Sequence, residues 1–183
     1  MKENQRIAIS KRLLRESLLR LLQTKELGEI SITELCREAE INRATFYKYY
    51  STPQDVLSDI TMALIKEMKK IYRPLRTLDE VKTCVEKICE YVYEHADLIR
   101  LLIRANVDME IAAAISELHQ NFREDKESLG VLKGADDETL QMTAAFIGGG
   151  SYFLIRKWLL EDIRKTPEEV AELIFTILNM KVE

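Results

Sequence analysis

Residues 42–50, NRATFYKYY, gather three tyrosines, a phenylalanine and two bases into nine positions of a chain that is only 7% aromatic. Rings interleaved with bases on a short helix suit contact with nucleic acid. A phenol donates to a phosphate oxygen, and a small or hydroxylated side chain lets the helix approach base edges. No other stretch offers comparable chemistry. There is no nucleophile beside a general base and no phosphate-binding glycine loop between strand and helix. The Gly148–Gly149–Gly150 run lies within an apolar helical pattern. Cys36, Cys84 and Cys89 form no CxxC pair, and His95 and His119 do not stand at ligand spacing to them. The chain is therefore expected to be no enzyme and to hold no metal or other cofactor, with its thiols free and buried.

Helix geometry at about 100° per residue divides the rings. With Phe46 centred on the inner face, Tyr50 falls beside it at i+4. Ala44, Thr45, Tyr47 and Lys48 point away, and Arg43 and Tyr49 flank. Phe46 and Tyr50 are thus expected to anchor the helix, leaving Tyr47 exposed beside Lys48.

The surrounding elements read as helices throughout. Only six glycines and three prolines interrupt 183 residues, 46% of them hydrophobic, and no alternating strand pattern occurs. The first helix is expected over 5–24, with Leu14, Leu18, Leu21 and Leu22 on one face. A two-turn helix follows, for which Thr33 is the expected N-cap and Ser31 the fallback. A four-residue connection, Glu40 to Arg43, leads to the ring-bearing helix, capped by Asn42. Two short helices behind a supporting one have the form of a helix-turn-helix unit, whose second helix enters the major groove. Ser51-Thr52-Pro53 opens a helix over 53–71. Thr77 caps another over 78–94. Further helices are expected over 96–105, 108–129, 137–163 and 167–181. The fold class is all-α: a three-helix DNA-binding head over 1–52 and a bundle of about six helices over 53–183.

Charge follows this division. Residues 1–55 carry ten Lys/Arg against eight Asp/Glu, a net +2, while residues 56–183 carry seventeen against twenty-three, a net −6. A more basic head on an acidic body suits contact with a polyanion. No run approaches the roughly 20 apolar residues that span a bilayer, and no leader-like block opens the sequence, so a cytoplasmic location without membrane contact is expected.

The stretch ITELCREAEINRATFYKYYSTPQDVL resembles the DNA-binding signature of the TetR family of transcriptional regulators. That signature runs Ile-Thr-hydrophobic, an Ala-Gly-Val-Ser-like turn, Thr-(Phe/Leu)-Tyr-x-His-Phe, then a Lys-Glu-x-Leu helix start. The match covers roughly residues 7–60; the remainder agrees in architecture. The resemblance implies that Thr33 contacts a phosphate and that Arg43, Ala44 and Thr45 approach bases. It implies that Tyr47 reaches the sugar-phosphate backbone, with Lys48 and Tyr49 at the variable and histidine positions. Two residues depart from the signature. Glu40 replaces the turn glycine, and Pro53 replaces the lysine after the recognition helix. The latter removes a cationic phosphate contact, although free N–H groups at that helix start would still suit a phosphate.

In the body, AAFIGGGSYFLIRKWLL is apolar around more of its circumference than one buried stripe requires. Relatives of this type pair their last two helices, which implies a homodimer through Gly149, Tyr152, Phe153, Trp158, Ile174 and Ile177. The alternative is a bend at the glycines inside one chain. Tyr91, His95, Phe122 and Phe146 are candidates for a small-molecule pocket, though a lone His or Tyr on an apolar helix is more often a satisfied core residue. The glycine-rich stretch also loosely resembles a subgroup related to regulators of dihydroxyacetone kinase genes, some of which act with a partner protein. The expected function is that of a dimeric repressor, released from a palindromic double-stranded DNA operator by an effector. The alternative is a helical interaction protein or co-activator acting through a partner, with weak DNA binding.

Overall fold

The computed structural model describes residues 2–71, 77–107, 111–113, 136–161 and 163–178. Among these every regular element is helical: α1 (Lys2–Leu21), a 3-10 turn (Leu27–Glu29), α2 (Ile32–Glu38), α3 (Arg43–Tyr47), α4 (Pro53–Ile71), α5 (Leu78–Glu94), α6 (Ala96–Arg104), α7 (Asp137–Leu160) and α8 (Pro167–Leu178). The helix expected over 108–129 lies almost wholly outside the described residues, as do residues 130–135; 111–113 are helical.

Contacts divide the chain into a head, Met1–Leu64 with Leu101–Val107, and a body, Ile65–Arg100 with Asp108–Glu183. The head extends past the boundary expected at residue 52 because the first turns of α4 belong to its core. Val56, Leu57 and Ile60 are buried, as are Leu14 and Leu18 of α1, Leu35 of α2 and Phe46 of α3. In the body, α5 and α8 pack together: Val81 and Cys84 are buried with Val85, Ile88 and Phe175 around them.

Helix starts follow capping chemistry. Asn42 accepts from the Thr45 N–H at 2.8 Å. Thr77 and Glu80 form a reciprocal box, at 3.2 and 3.0 Å, and Asp136 opens α7 by accepting from Thr139 at 2.7 Å. One expectation is corrected. Ser31, not Thr33, caps α2, accepting from the Glu34 N–H at 3.1 Å. Thr33 consequently sits one residue inside the helix, exposed. Glu34 does not complete a box, because its carboxylate is held by Lys25 at 2.6 Å.

The end of α2 explains the turn. The Ile41 N–H bonds the Cys36 carbonyl at 2.9 Å and the Glu40 N–H the Arg37 carbonyl at 3.2 Å. This is the Schellman pattern, which demands a left-handed residue between them. That residue is Glu40, at φ 55°. The end of α6 repeats the pattern with Asn106 at φ 61°.

Candidate nucleic-acid interface

In the head, α3 has five residues, too few to be stable alone. Phe46 is wholly buried and Tyr50 is 7% exposed, so these two rings seat the helix. Their centroids lie 6.0 Å apart. Tyr47 is 52% exposed and meets the edge of Phe46 at 5.6 Å. The division of rings expected from helix geometry is the one observed.

On the outer face, Arg43, Ala44, Tyr47 and Lys48 are exposed and Thr45 and Tyr49 half-buried. The Arg43 guanidinium donates to the Tyr47 hydroxyl at 3.3 Å and lies 5.9 Å from its ring centroid. A cation, a phenol, a hydroxyl and a methyl thus share one short helical surface. Such a surface can donate to phosphates and enter a groove.

The start of α4 differs from what its sequence suggested. The backbone N–H groups of Ser51 and Thr52 are not free for a phosphate. They donate to the Asp55 carboxylate at 2.7 and 3.0 Å. Those two bonds hold the Asp55 carboxyl below its ordinary range. A carboxylate therefore occupies the position where an anion would bind, next to the proline that replaces the signature lysine.

The body supplies the decisive comparison. Residues 79–180 match the family model described as the transcriptional regulator C-terminal region of the TetR type. The chain belongs to the TetR family of transcriptional regulators. It is 23% identical over 178 residues to the uncharacterized HTH-type transcriptional regulator YxbF of Bacillus subtilis (strain 168), covering 91% of this chain and 44% of that protein. The chain thus spans less than half the length of that curated relative. Among solved structures, a TetR transcriptional regulator from Streptococcus agalactiae 2603V superposes with a TM-score of 0.72 at 18% identity, over 98% of this chain and 99% of that one. The dihydroxyacetone kinase operon activator DhaS superposes with a TM-score of 0.61 at 16% identity, over 93% and 94%. At these identities the likeness shows a TetR fold.

The remaining residues named from sequence scatter. For pairing, Tyr152, Trp158 and Ile174 are buried within the chain, whereas Gly149, Phe153 and Ile177 reach the surface. Trp158 is held there by donating its indole N–H to the Lys165 carbonyl at 3.0 Å. For a ligand pocket, Phe146 is 79% exposed, and Phe122 lies outside the described residues. His95 caps the C-terminus of α5 and stacks on Tyr91 at 4.1 Å, its Nδ1 2.9 Å from the Tyr91 carbonyl. That is a satisfied helix end. The three cysteines are free and buried. Burial pushes the Cys84 thiol up to about 11 and the Cys89 thiol up to about 12, so both stay protonated and unreactive.

Sequence reading missed two features. One is Asp59, whose acceptor oxygen draws Arg15 and Tyr50 from distant positions. The other is Met142, which lies on one stripe of α7 with Phe146, Gly149, Gly150 and Phe153 and is 69% exposed. The 142, 146, 149/150, 153 spacing was the available signal.

Proposed function

We propose that this TetR regulator is a dimeric repressor. Its paired α3 helices occupy successive major grooves of a palindromic operator, and an effector lowers operator affinity. The observation carrying the DNA reading is the division of the α3 rings: Phe46 and Tyr50 inward, Tyr47 outward with Arg43. In this reading Arg43, Ala44 and Thr45 approach bases, Tyr47 and Lys48 contact the backbone, Tyr49 flanks, and Thr33 meets a phosphate from the first turn of α2. Pairing is supported by the apolar stripe on α7 and by Leu173 and Ile177, which α8 leaves exposed. A Cβ placed on Gly149 or Gly150 would meet nothing within 4 Å. The glycines are therefore not needed for close packing inside the chain, and a second copy gives them a purpose.

The test is titration of the full chain against its own upstream intergenic DNA and a scrambled duplex, by fluorescence anisotropy at several salt concentrations. Tyr47→Ala is expected to weaken binding to the preferred duplex by about tenfold, the net value of a charge-assisted phosphate bond. Equal binding of both duplexes by the wild type, with no preferred sequence enriched from a random library, refutes the reading.

A second reading has one specific support, the fold shared with an operon activator. Here the same head would recruit rather than block transcription. A reporter driven from the bound promoter separates the two by the sign of its response when the regulator is deleted.

A further inference from the structure

Three elements of the head meet on a single carboxylate oxygen. Asp59 lies in the second turn of α4. Its Oδ2 accepts from both Arg15 Nε and Arg15 Nη2 of α1, at 2.9 and 2.6 Å. The same oxygen accepts from the Tyr50 hydroxyl at the end of the recognition segment. Lys11, one turn before Arg15, stands 3.9 Å from this oxygen and 5.1 Å from the centroid of the Tyr50 ring. Burial raises the Asp59 carboxyl, but the bonds from Tyr50 and Arg15 and the charges of Arg15 and Lys11 outweigh it and hold the carboxyl ionised.

We propose that Asp59 is a positioning residue for DNA recognition. It fixes the angle of the recognition helix against α1 and α4, and so sets discrimination between operator and other DNA without touching either. The inference rests on the DNA-binding reading above. Five residues of α3 cannot hold their own orientation. Its beginning is fixed by the Asn42 cap and its middle by Phe46. Its end is fixed by Tyr50, whose N–H continues the helix to the Phe46 carbonyl at 3.0 Å. The polar tip of Tyr50 has one acceptor among the described residues, and that acceptor is Asp59.

Electrostatics and positioning predict opposite signs, which makes the inference testable. Replacing Asp59 by Asn removes one negative charge from the head and releases Arg15 and Lys11. If charge alone mattered, every duplex would bind more tightly. If Asp59 positions α3, binding to the cognate duplex weakens while scrambled duplex binds as well or better.

The experiment uses the full chain and two probes: a duplex enriched from a random library by the wild type, and its scrambled counterpart. Circular dichroism confirms folding at the assay temperature. For Asp59→Asn the ratio of cognate to scrambled affinity is expected to fall about tenfold, and for Tyr50→Phe, which leaves all charges in place, about threefold. A merely structural role would lower the melting temperature and leave this ratio unchanged. An unchanged or raised ratio in Asp59→Asn overturns the proposal. Should that variant fail to fold, an unchanged ratio in Tyr50→Phe overturns it alone. Wild type that enriches no sequence refutes the DNA reading itself, and this inference with it.

Discussion

Glu40 offers the sharpest test of the backbone argument. It occupies the left-handed position of the α2 Schellman turn at φ 55°, where an L side chain crowds its own carbonyl by roughly 1–2 kcal/mol. Glycine removes that crowding but loses more freedom on folding, roughly 0.5–1 kcal/mol. Glu40→Gly is therefore expected to stabilise the head by about 0.5–1 kcal/mol. The variant also removes a negative charge two residues before the cap of α3, so DNA affinity changes as well. Glu40→Gln separates the effects, because it discards the charge and keeps the side chain. Urea denaturation must be followed by a probe in the head; the single tryptophan, Trp158, belongs to the body. Amide exchange of Leu35, Cys36 and Phe46 serves. Stability in the order Glu40→Gly above Glu40→Gln, with the Gln variant near wild type, is the expected result. A Gly variant no more stable than the Gln variant refutes the strain argument. Asn106, in the same turn after α6, is the internal control. Asn tolerates this conformation, so Asn106→Gly is expected to change stability by less.

Other outcomes follow from the same geometry. Pro53→Lys restores the signature cation and is expected to steepen the dependence of log affinity on log salt by about 0.9, one added phosphate contact, read by anisotropy over a salt series. Gly149→Ala would add roughly 0.8–1.0 kcal/mol of helix stability to an isolated chain, since its Cβ meets nothing within 4 Å. If a second copy packs there, analytical ultracentrifugation will instead show weaker dimers, and Phe153→Glu, at a residue 64% exposed, will give folded monomers. For acid sensitivity the sign is set by a depressed carboxyl. The contribution of Asp59 is fully present above its ordinary value of 3.8 and is lost as pH falls through the lowered one. The stability difference between wild type and Asp59→Asn, measured by urea titration, is accordingly expected to shrink below about pH 4.

Local chemistry made much of this fold legible. The bounds of α4 and α5 fell where a proline at the first helical position and a threonine cap placed them. The inward and outward rings of α3 followed from helical angle alone. Choices between near-equivalent residues were less legible. Ser31 and Thr33 are both good caps two positions apart, and only the backbone showed that the Glu34 N–H meets Ser31. The faces of α7 were ambiguous because the helix is apolar nearly all round, so only packing showed that Tyr152 and Trp158 turn inward. Asp59 carries no signal in the local sequence pattern. Its partners stand 44 and 9 residues away, a separation no local pattern reports.

The cations of the head bear on how this TetR regulator would hold DNA. Arg15 is engaged by Asp59, Arg20 by Glu38 at 2.8 Å and Lys25 by Glu34 at 2.6 Å. Arg37 and Lys48 are exposed without a salt bridge among the described residues, and Arg43 bonds the Tyr47 hydroxyl rather than an acid. Against these stand Glu40 in the turn and Asp55 at the start of α4. The departures from the family signature thus all subtract from attraction to phosphate, while Arg43, Ala44, Thr45 and Tyr47 keep their outward placement. A head so balanced gains little from charge that any DNA would satisfy. On the proposed DNA reading, its affinity would come from contacts that only a correctly oriented α3 can make, which would make the fixing of that helix by Phe46, Tyr50 and Asp59 matter more here than in a strongly basic head.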